Sequence, residues 1–251
     1  MTALYNRIGI NYSASRGTDP RIADRLYAEL KGASRIVNIG AGSGSYEPDG
    51  VELVAVEPSA QMIAQRVVGA YPAELAAAES LPFPDGSFSH AMTVLSMHHW
   101  SDRAKAFNEI NRVATDKFVA ISWDPTASPF WLTRDYFPEF HAEDLNKFPP
   151  LAEFHAHFDD VAISVLPIPD DCQDGFLAAF WKRPAAYLNP EVRQGISSFS
   201  KSTTLDAGLE KLAADLESGV WEERNASILE SDEFDAGYRL ITARTRSKPV
   251  V

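Results

Sequence analysis

A cluster of glycines directly after a short apolar run is the feature of this sequence that most limits its fold. Residues 37–47 read VNIGAGSGSYE, with Gly40, Gly42 and Gly44 inside five positions. The runs RIVNIG (35–40) and ELVAVE (52–57) are nearly all apolar, which is typical of strands buried on both faces of a parallel sheet. The glycines therefore predict a bare backbone bend between a strand and a helix, at the sheet edge where ligands bind.

Strand and helix patterns alternate along the first half of the chain. This order predicts an α/β fold with a doubly wound, mostly parallel sheet that has helices on both faces. Two further strands are expected near the end of the chain, at 159–169 and 236–245. In the first half, helices are predicted at 20–30, 59–70 and 102–114, and strands at 35–40, 52–57, 90–97 and 117–123.

Two segments interrupt this alternation. Residues 125–158 are rich in proline and aromatic residues, and residues 170–235 read mainly as helix, far longer than an ordinary connection. We expect both to be insertions that together form a helical lid with apolar or aromatic substrate walls. The predicted organisation is a cofactor-binding half (1–124), an aromatic-rich insertion (125–158), the last core strands (159–169 and 236–247) and a helical lid (170–235).

Composition limits the partners of the chain. The 251 residues carry a net charge of −12, without a basic cluster, which disfavours nucleic acid and favours a small molecule. The one cysteine excludes an internal disulfide, and neither a signal peptide nor an apolar stretch of membrane-spanning length is found. We expect a cytoplasmic protein that makes no membrane contact and is a monomer or a homodimer.

An acidic residue at the end of the second strand indicates what the glycine bend binds. Glu57 follows Gly44 by thirteen residues, and a carboxylate there can accept hydrogen bonds from both hydroxyls of a ribose. The glycine spacing is G-x-G-x-G, whereas dinucleotide sites use G-x-G-x-x-G with a helix aimed at the pyrophosphate. The following SYEPDG contains a proline and is a poor helix start, which favours a nucleoside ligand without phosphate.

Four motifs in this order resemble the class I S-adenosylmethionine-dependent methyltransferases, and within them the type 11 group. They are VNIGAGSGSYE, VAVEPSAQMIAQR, AAAESLPFPDGSFSHAMTVLSMHHW, and the helix and strand that follow. The resemblance covers about residues 5–122 well and the final strands plausibly, but not the insertions. It implies a Rossmann-like, seven-stranded, mostly parallel sheet and S-adenosylmethionine as cofactor.

The resemblance also implies cofactor contacts residue by residue. The glycine bend would lie beneath the methionine part, Glu57 would hold the ribose, and Arg16 would pair with the cofactor carboxylate. Asn38 and Ala77 stand where the family generally has acids, which predicts weaker contacts to the cofactor ammonium and the adenine amino group. The predicted cofactor-binding residues are Tyr12, Arg16, Asn38, Gly40, Ala41, Gly42, Gly44, Glu57, Pro58, Met62, Ala78, Glu79, Leu95 and Ser96.

Two histidines are candidates for proton abstraction. His98 and His99 follow the strand whose carboxyl end faces the expected crevice, and a histidine near neutral pKa suits a general base. On an extended chain only one of them would face the substrate, and we place His99 ahead of His98. The alternative is that both only pack the turn. A metal site at His155, His157 and Asp159 is possible on one face of a strand, but a solvated strand face explains this spacing better, so no metal is predicted.

The predicted function is transfer of a methyl group from S-adenosylmethionine to an O, N or C atom of a small molecule. A nicotinamide-dependent oxidoreductase on a similar sheet is the first alternative, which the glycine spacing disfavours. The second alternative is a binding or regulatory protein that retained the fold without the chemistry, which the departures at Asn38 and Ala77 keep open.

Overall fold

A seven-stranded sheet forms the centre of the molecule. The computed structural model describes residues 16–66 and 68–246. In chain order the first five strands are β1 (Arg35–Ile39), β2 (Glu52–Glu57), β3 (Ala73–Leu75), β4 (Phe88–Val94) and β5 (Ala114–Trp123). They are followed by β6 (Asp159–Val165) and β9 (Tyr238–Arg244), while β7 (Ile168–Pro169) and β8 (Glu233–Phe234) form a separate small ladder.

The strand order is β3-β2-β1-β4-β5-β9-β6. All neighbours are parallel except β9, which is antiparallel to both β5 and β6. The order reverses between β1 and β4, which lie side by side although two strands separate them in sequence. A crevice opens at such a reversal, beyond the carboxyl ends of the strands, and this position is where open α/β sheets bind ligands. The predicted fold class is confirmed.

Helices cover both faces of the sheet. They are α1 (Pro20–Glu29), α2 (Ala60–Ala64) and α3 (Arg103–Val113), and their caps are Asp19, Ser59 and Asp102, whose side chains each accept a hydrogen bond from the first turn. The buried apolar side chains form two clusters. One includes Leu26 of α1 and Trp123, and the other includes Phe107 of α3 and Phe118. Each large apolar side chain fully buried in this way contributes roughly 1.5–3 kcal/mol.

Four local predictions were wrong. The strand predicted at 159–169 ends at Val165, and Ile168–Pro169 belong to the separate small ladder. No helix follows the glycine bend, because the chain passes through turns from β1 directly to β2. The helix predicted at 59–70 ends at Ala64. The strand predicted at 90–97 ends at Val94, because Leu95 adopts a left-handed backbone with φ 48° and turns the chain into a 3₁₀ turn, Met97–His99.

The two insertions pack against each other beside the sheet. Trp131 donates its indole N–H to the carbonyl oxygen of Trp181 at 2.9 Å, and its ring lies 5.2 Å from that of Trp221. This contact joins the two segments through three buried tryptophans. The helices are α4 (Trp131–Asp135), α5 (Pro138–Lys147), α6 (Leu151–His157), α7 (Pro190–Gln194), α8 (Leu205–Glu217), α9 (Val220–Arg224) and α10 (Ala226–Leu229).

The helix α6 differs from the rest of the first insertion. Its Phe154 packs on Phe107 of α3, with ring centroids 5.5 Å apart, and so belongs to the core of the sheet. Residues 125–150 are therefore the part of that segment that lies with the second insertion. None of the helices in the described part of the chain is long and apolar enough to cross a membrane.

Candidate active site

A cavity of about 410 Å³ lies at the carboxyl ends of β1, β2, β3 and β4. This volume is in the range typical of small-molecule sites. The lining comes from the segments that directly follow these strands, together with Arg16 at the start of the described chain. The predicted residues that line it are Arg16, Asn38, Gly40, Ala41, Gly42, Glu57, Pro58, Met62, Ala78, Glu79, Leu95 and Ser96. We call it the donor cavity.

The glycine bend brings bare backbone to the wall of the donor cavity. Gly40 has φ +70°, and a Cβ on it would overlap the side chain of Ser96. Ser96 is fixed in turn, because its hydroxyl donates to the carbonyl oxygen of Ile39 at 3.1 Å. Any larger residue at position 40 would therefore combine an unfavourable backbone with a steric clash.

Gly44 does not line the donor cavity. It has φ +96°, and a Cβ there would lie 2.9 Å from the Cβ of Ala70 and 3.4 Å from the guanidinium of Arg66. The third glycine is needed for packing behind the bend, and a contact of Gly44 with the cofactor stays a prediction. Tyr12, another predicted contact, lies outside the described residues.

Glu57 connects the end of β2 to the bend. Its carboxylate accepts hydrogen bonds from the backbone N–H of Gly42 at 2.9 Å and of Ser59 at 3.0 Å, one on each oxygen. The side chain is buried, and burial raises the pKa of Glu57, while the two N–H groups and the charge of Arg66 oppose this rise. Each oxygen keeps a further lone pair for a ligand hydroxyl.

A buried ion pair supports the bend from behind. Arg66 donates to both oxygens of Glu47 at 2.7 Å, with side chains only 7% and 4% exposed. Arg66 also donates to the carbonyl oxygen of Gly42 at 3.3 Å, and Asn38 donates from Nδ2 to Glu47 at 3.1 Å. An acid at position 38 would place a second carboxylate against that of Glu47, and the two negative charges would repel each other. Asn38 avoids this repulsion and donates a hydrogen bond instead.

The predicted adenine end of the cavity contains one carboxylate that already has partners. Glu79 accepts from the N–H and hydroxyl of Ser101, at 2.6 and 2.7 Å, and from the N–H of Asp102 at 3.1 Å. Burial would raise the pKa of Glu79, but these hydrogen bonds lower it below its ordinary value. Glu79 therefore holds the start of α3, and a contact with adenine remains a prediction for it.

A second cavity, of about 100 Å³, adjoins the first. We call it the acceptor cavity. Arg16, Leu95 and His99 line both cavities. The rest of its wall comes from β5, from β9 and from both insertions, and it is strongly aromatic. The aromatic side chains on this wall are Trp123, Phe130, Phe148, Phe176 and Tyr238.

Both histidines of the SMHHW motif line the acceptor cavity, so the prediction that only one of them faces it was wrong. The extended chain assumed for that prediction does not exist there, because His98 and His99 lie in one 3₁₀ turn with ring centroids 3.7 Å apart. His98 also stacks on Phe148 at 4.4 Å. Within the described residues, the Nδ1 atoms of His98 and of His141, which lines the same cavity, are buried without a hydrogen-bond partner.

Burial makes both histidines weak bases. It lowers the pKa of His99 to about 4, with a further contribution from the charges of Lys201 and Lys147. It also lowers the pKa of His98 well below its ordinary value, and the same two lysines, His99 and Arg16 add to this. The two imidazoles are therefore neutral near pH 7.

Arg16 has a protein partner at the boundary between the two cavities. Its guanidinium donates to Asp174 of the second insertion, from Nε at 2.6 Å and from Nη2 at 3.2 Å. Asp174 is fully buried and also accepts from the hydroxyl of Tyr46 at 3.1 Å. Sequence reasoning predicted a cofactor carboxylate as the partner of Arg16 and did not find Asp174.

The three residues of the HAHFDD segment do not share one strand face. His155 and His157 belong to the last turn of α6, and only Asp159 belongs to β6. In residues 16–66 and 68–246, no group of three or more His, Cys, Asp or Glu side chains is arranged to hold a metal ion.

Comparison with known proteins identifies the family. A family profile described as a methyltransferase domain matches residues 37–117. A protein of Anabaena variabilis, described as a methyltransferase from an antibiotic biosynthesis pathway, is 36% identical in sequence to this chain. Its crystal structure superposes with a TM-score of 0.84. That match covers 91% of this chain and 98% of the other. The chain belongs to the class I S-adenosylmethionine-dependent methyltransferases.

Two further methyltransferases resemble this one, the first in sequence over part of the chain and the second in fold. The uncharacterized methyltransferase YcgJ of Bacillus subtilis is 33% identical over 99 residues, a match that spans 34% of this chain and only 38% of the relative. The geranyl diphosphate C-methyltransferase of Streptomyces coelicolor, crystallised with S-adenosylhomocysteine, shares the fold with a TM-score of 0.50 and 15% identity. That match covers 89% of this chain and 79% of the other.

The donor cavity of this methyltransferase fits its cofactor, S-adenosylmethionine. Bare backbone at Gly40 to Gly42 leaves space at one wall, and the buried carboxylate of Glu57 offers two oxygens at another. No helix begins between β1 and β2, so no helix N-terminus follows the bend to bind a phosphate, in agreement with a ligand that has none.

Proposed function

We propose that this methyltransferase methylates a small molecule that binds in the acceptor cavity. The main support for this proposal is that the two cavities share three wall residues, Arg16, Leu95 and His99. A methyl donor in one cavity and an acceptor in the other would meet at this shared wall. The net charge of −12 and the relative assigned to antibiotic biosynthesis both support a small molecule as acceptor, and the single cysteine supports a cytoplasmic location.

For the donor cavity we propose that Glu57 accepts the ribose hydroxyls while its own hydrogen bonds hold the bend in place. The backbone of Gly40, Ala41 and Gly42 would lie along the amino-acid part of the cofactor. Asn38, fixed by Glu47, would offer its Oδ1 to the ammonium group. Pro58, Met62, Ala78 and Glu79 would surround the adenine, and Leu95 and Ser96 would lie beside the reacting centre.

The main contribution of the chain to the reaction is to position the methyl donor and the acceptor. S-adenosylmethionine supplies, when bound, a methyl group on a sulfonium that reacts by in-line displacement. Holding the two reactants at close range and in line can by itself provide a large part of the rate enhancement. Leu95 supports such an arrangement, because its strained backbone is fixed by the hydrogen bond from its N–H to the carbonyl oxygen of Ile121 at 2.9 Å.

The acceptor is expected to contact His98 and His99 rather than lose a proton to them. Neutral imidazoles with pKa values this low are weak proton acceptors near pH 7. The buried, unpartnered Nδ1 atoms of His98 and His141 are instead available for hydrogen bonds with a polar ligand.

Two measurements test the proposal. Calorimetric titration with S-adenosylhomocysteine and with NAD should give binding of the first only, and binding of NAD alone would favour the oxidoreductase alternative. Transfer of labelled methyl from S-adenosylmethionine should then be measured on a panel of small phenols, alcohols, amines and carbon acids. Binding of S-adenosylhomocysteine without transfer to any member would favour a protein that retained the fold without the chemistry.

A cavity-filling variant separates the two cavities. Ala178 is buried on the wall of the acceptor cavity, so Ala178→Leu should abolish transfer and leave S-adenosylhomocysteine affinity within about twofold. The matched control is Ala207→Leu on the exposed side of α8. Full transfer by the Ala178 variant, with an unchanged Tm, would contradict the assignment of this cavity to the acceptor.

A further inference from the structure

Asp144 is a carboxylate on the wall of the acceptor cavity that no charge neutralises directly. It lies in α5, half-buried, and its backbone carbonyl accepts from the N–H of Phe148, the residue that stacks on His98. Among the described residues, no hydrogen bond or ion pair reaches its side chain. Asp144 thus lies on the wall one helical turn from an aromatic ring that stacks on His98.

The neighbouring charges are paired with a different acid. Lys147 forms an ion pair with Glu143, and Lys201 approaches the same carboxylate at 3.6 Å. Both lysines therefore pair with Glu143, and among the described residues no ion pair is formed by the Asp144 side chain. The other titratable or charged groups on this wall are Arg16, His98, His99, His141 and Tyr238.

Burial raises the pKa of Asp144 to about 7, with Lys147 and Lys201 opposing this rise and Glu143 adding to it. A carboxylate with such a pKa is partly ionised at neutral pH and holds a proton well enough to act as a general base there. His98 and His99 do not meet this condition, since burial and the same lysines lower the pKa of His99 to about 4 and the pKa of His98 well below its ordinary value.

We propose that Asp144 is the general base of this enzyme and that the acceptor is a small molecule with one ring that carries a weakly acidic hydroxyl group, a phenol or an enol. This inference rests on the proposed function, because it assumes that the acceptor cavity holds the methyl acceptor.

The acceptor, S-adenosylmethionine and Asp144 together account for every proton and electron pair in this step. The O–H bond of the acceptor breaks and its proton moves to the Asp144 carboxylate, while an oxygen lone pair forms the new O–C bond. The C–S bond breaks and its electron pair stays on sulfur. The positive charge of the sulfonium and the negative charge of Asp144 disappear together, which leaves an ether, a thioether and a neutral carboxylic acid.

The charges of the wall favour a hydroxyl over an amine. An aliphatic amine arrives at neutral pH as an ammonium ion, and Lys147, Lys201 and Arg16 already disfavour protonation of His98. A phenol arrives neutral, so its binding places no further positive charge beside these cations. The aromatic wall suits a ring, and a cavity of about 100 Å³ suits a small acceptor.

The test uses the full chain with two substitutions at the proposed base and one control. Asp144→Asn removes the base, Asp144→Glu retains a carboxylate, and Glu210→Gln changes an exposed acid on α8. Labelled methyl transfer is measured on single-ring phenols of graded acidity and on the amines that carry the same rings. Calorimetry with S-adenosylhomocysteine and a Tm measurement establish that each variant binds and folds.

We expect transfer to phenols and not to their matched amines. Asp144→Asn should lower kcat/KM by about 100-fold or more, with the smallest loss for the most acidic phenols, because these ionise without help. It should also abolish a pH–rate midpoint near 7, while Asp144→Glu recovers part of the rate and Glu210→Gln retains all of it. Affinity for S-adenosylhomocysteine should stay within twofold in every variant.

Three results would overturn the inference. They are an Asp144→Asn variant with the parental rate and pH profile, a loss of rate that is equal for all phenols, and methylation of amines or of no phenol by the parent. If the parent binds S-adenosylhomocysteine and methylates only another class of acceptor, the proposed function stands and the inference alone fails. If the parent does not bind S-adenosylhomocysteine, the proposed function fails.

Discussion

Arg16 and Asp174, separated by 158 positions in sequence, form a hydrogen-bonded ion pair with Nε 2.6 Å from Oδ1. The pair joins the segment before α1 to the second insertion at the boundary of the two cavities. Asp174 is fully buried and also accepts from Tyr46 of the glycine bend. The insertion is thereby attached to the cofactor-binding half of the sheet through one carboxylate.

Removal of this carboxylate should destabilise the fold. Asp174→Ala removes the buried carboxylate that accepts hydrogen bonds from Arg16 and Tyr46, and we expect a loss of about 3–5 kcal/mol in the free energy of unfolding. The control is Glu233→Gln, which breaks the ion pair of Glu233 with Arg25, a pair with both side chains about 40% exposed, and should cost less than about 1 kcal/mol. Urea denaturation measures both. Equal free energies of unfolding in the two variants would show that the buried pair does not stabilise the fold.

Gly40 provides a test of the bend itself. Gly40→Ala should weaken binding of S-adenosylhomocysteine by more than tenfold, because a Cβ there displaces Ser96 from the cavity wall. Gly50→Ala is the matched control, since Gly50 has φ +75° but open space around its Cα. Both variants carry the cost of a left-handed alanine, of about 1–2 kcal/mol. Calorimetry that finds the same affinity in both would mean that the contact with Ser96 does not matter.

Asp144 should make stability depend on pH in a defined direction. Its pKa is raised from 3.8 to about 7 in the folded chain, so folding favours its protonated form. The associated stability is present below about pH 4 and is lost as the pH rises through 7. Asp144→Asn should therefore raise Tm relative to the parent at pH 8.5, and the difference should shrink toward pH 5. Thermal denaturation across this range would contradict the shift if the difference were constant.

The sequence was sufficient to predict the sheet and the position of the crevice at its carboxyl edge. Continuous apolar runs at 35–40 and 52–57 are typical of buried parallel strands, and the glycines with Glu57 indicated the crevice. The edge strand β3 was not found, because its three residues are largely exposed and carry no periodic signal. The glycine bend was predicted, but the role of Gly44 was not, since its packing against Ala70 depends on tertiary structure.

The acceptor side could not be predicted in the same way. The geometry of His98 and His99 depends on the left-handed Leu95, and nothing in SMHHW marks a leucine for that conformation. Asp144 stands beside Glu143 in sequence, and only the fold decides which of them the lysines reach. Glu47 ends the glycine motif, so its position near the bend could be read from the sequence. Its ion pair with Arg66 could not, because it depends on how the fold brings back a residue nineteen positions later.

Calorimetric titration of S-adenosylhomocysteine into Glu57→Gln and Glu52→Gln tests the central claim most directly, because these two acids lie at opposite ends of β2. Glu52 is exposed and pairs with Arg35, whereas Glu57 lines the donor cavity. We expect parental affinity for Glu52→Gln and a loss of about 10- to 100-fold for Glu57→Gln, the cost of hydrogen bonds to a charged group. Equal affinities in the two variants would contradict the assignment of the donor cavity to the cofactor.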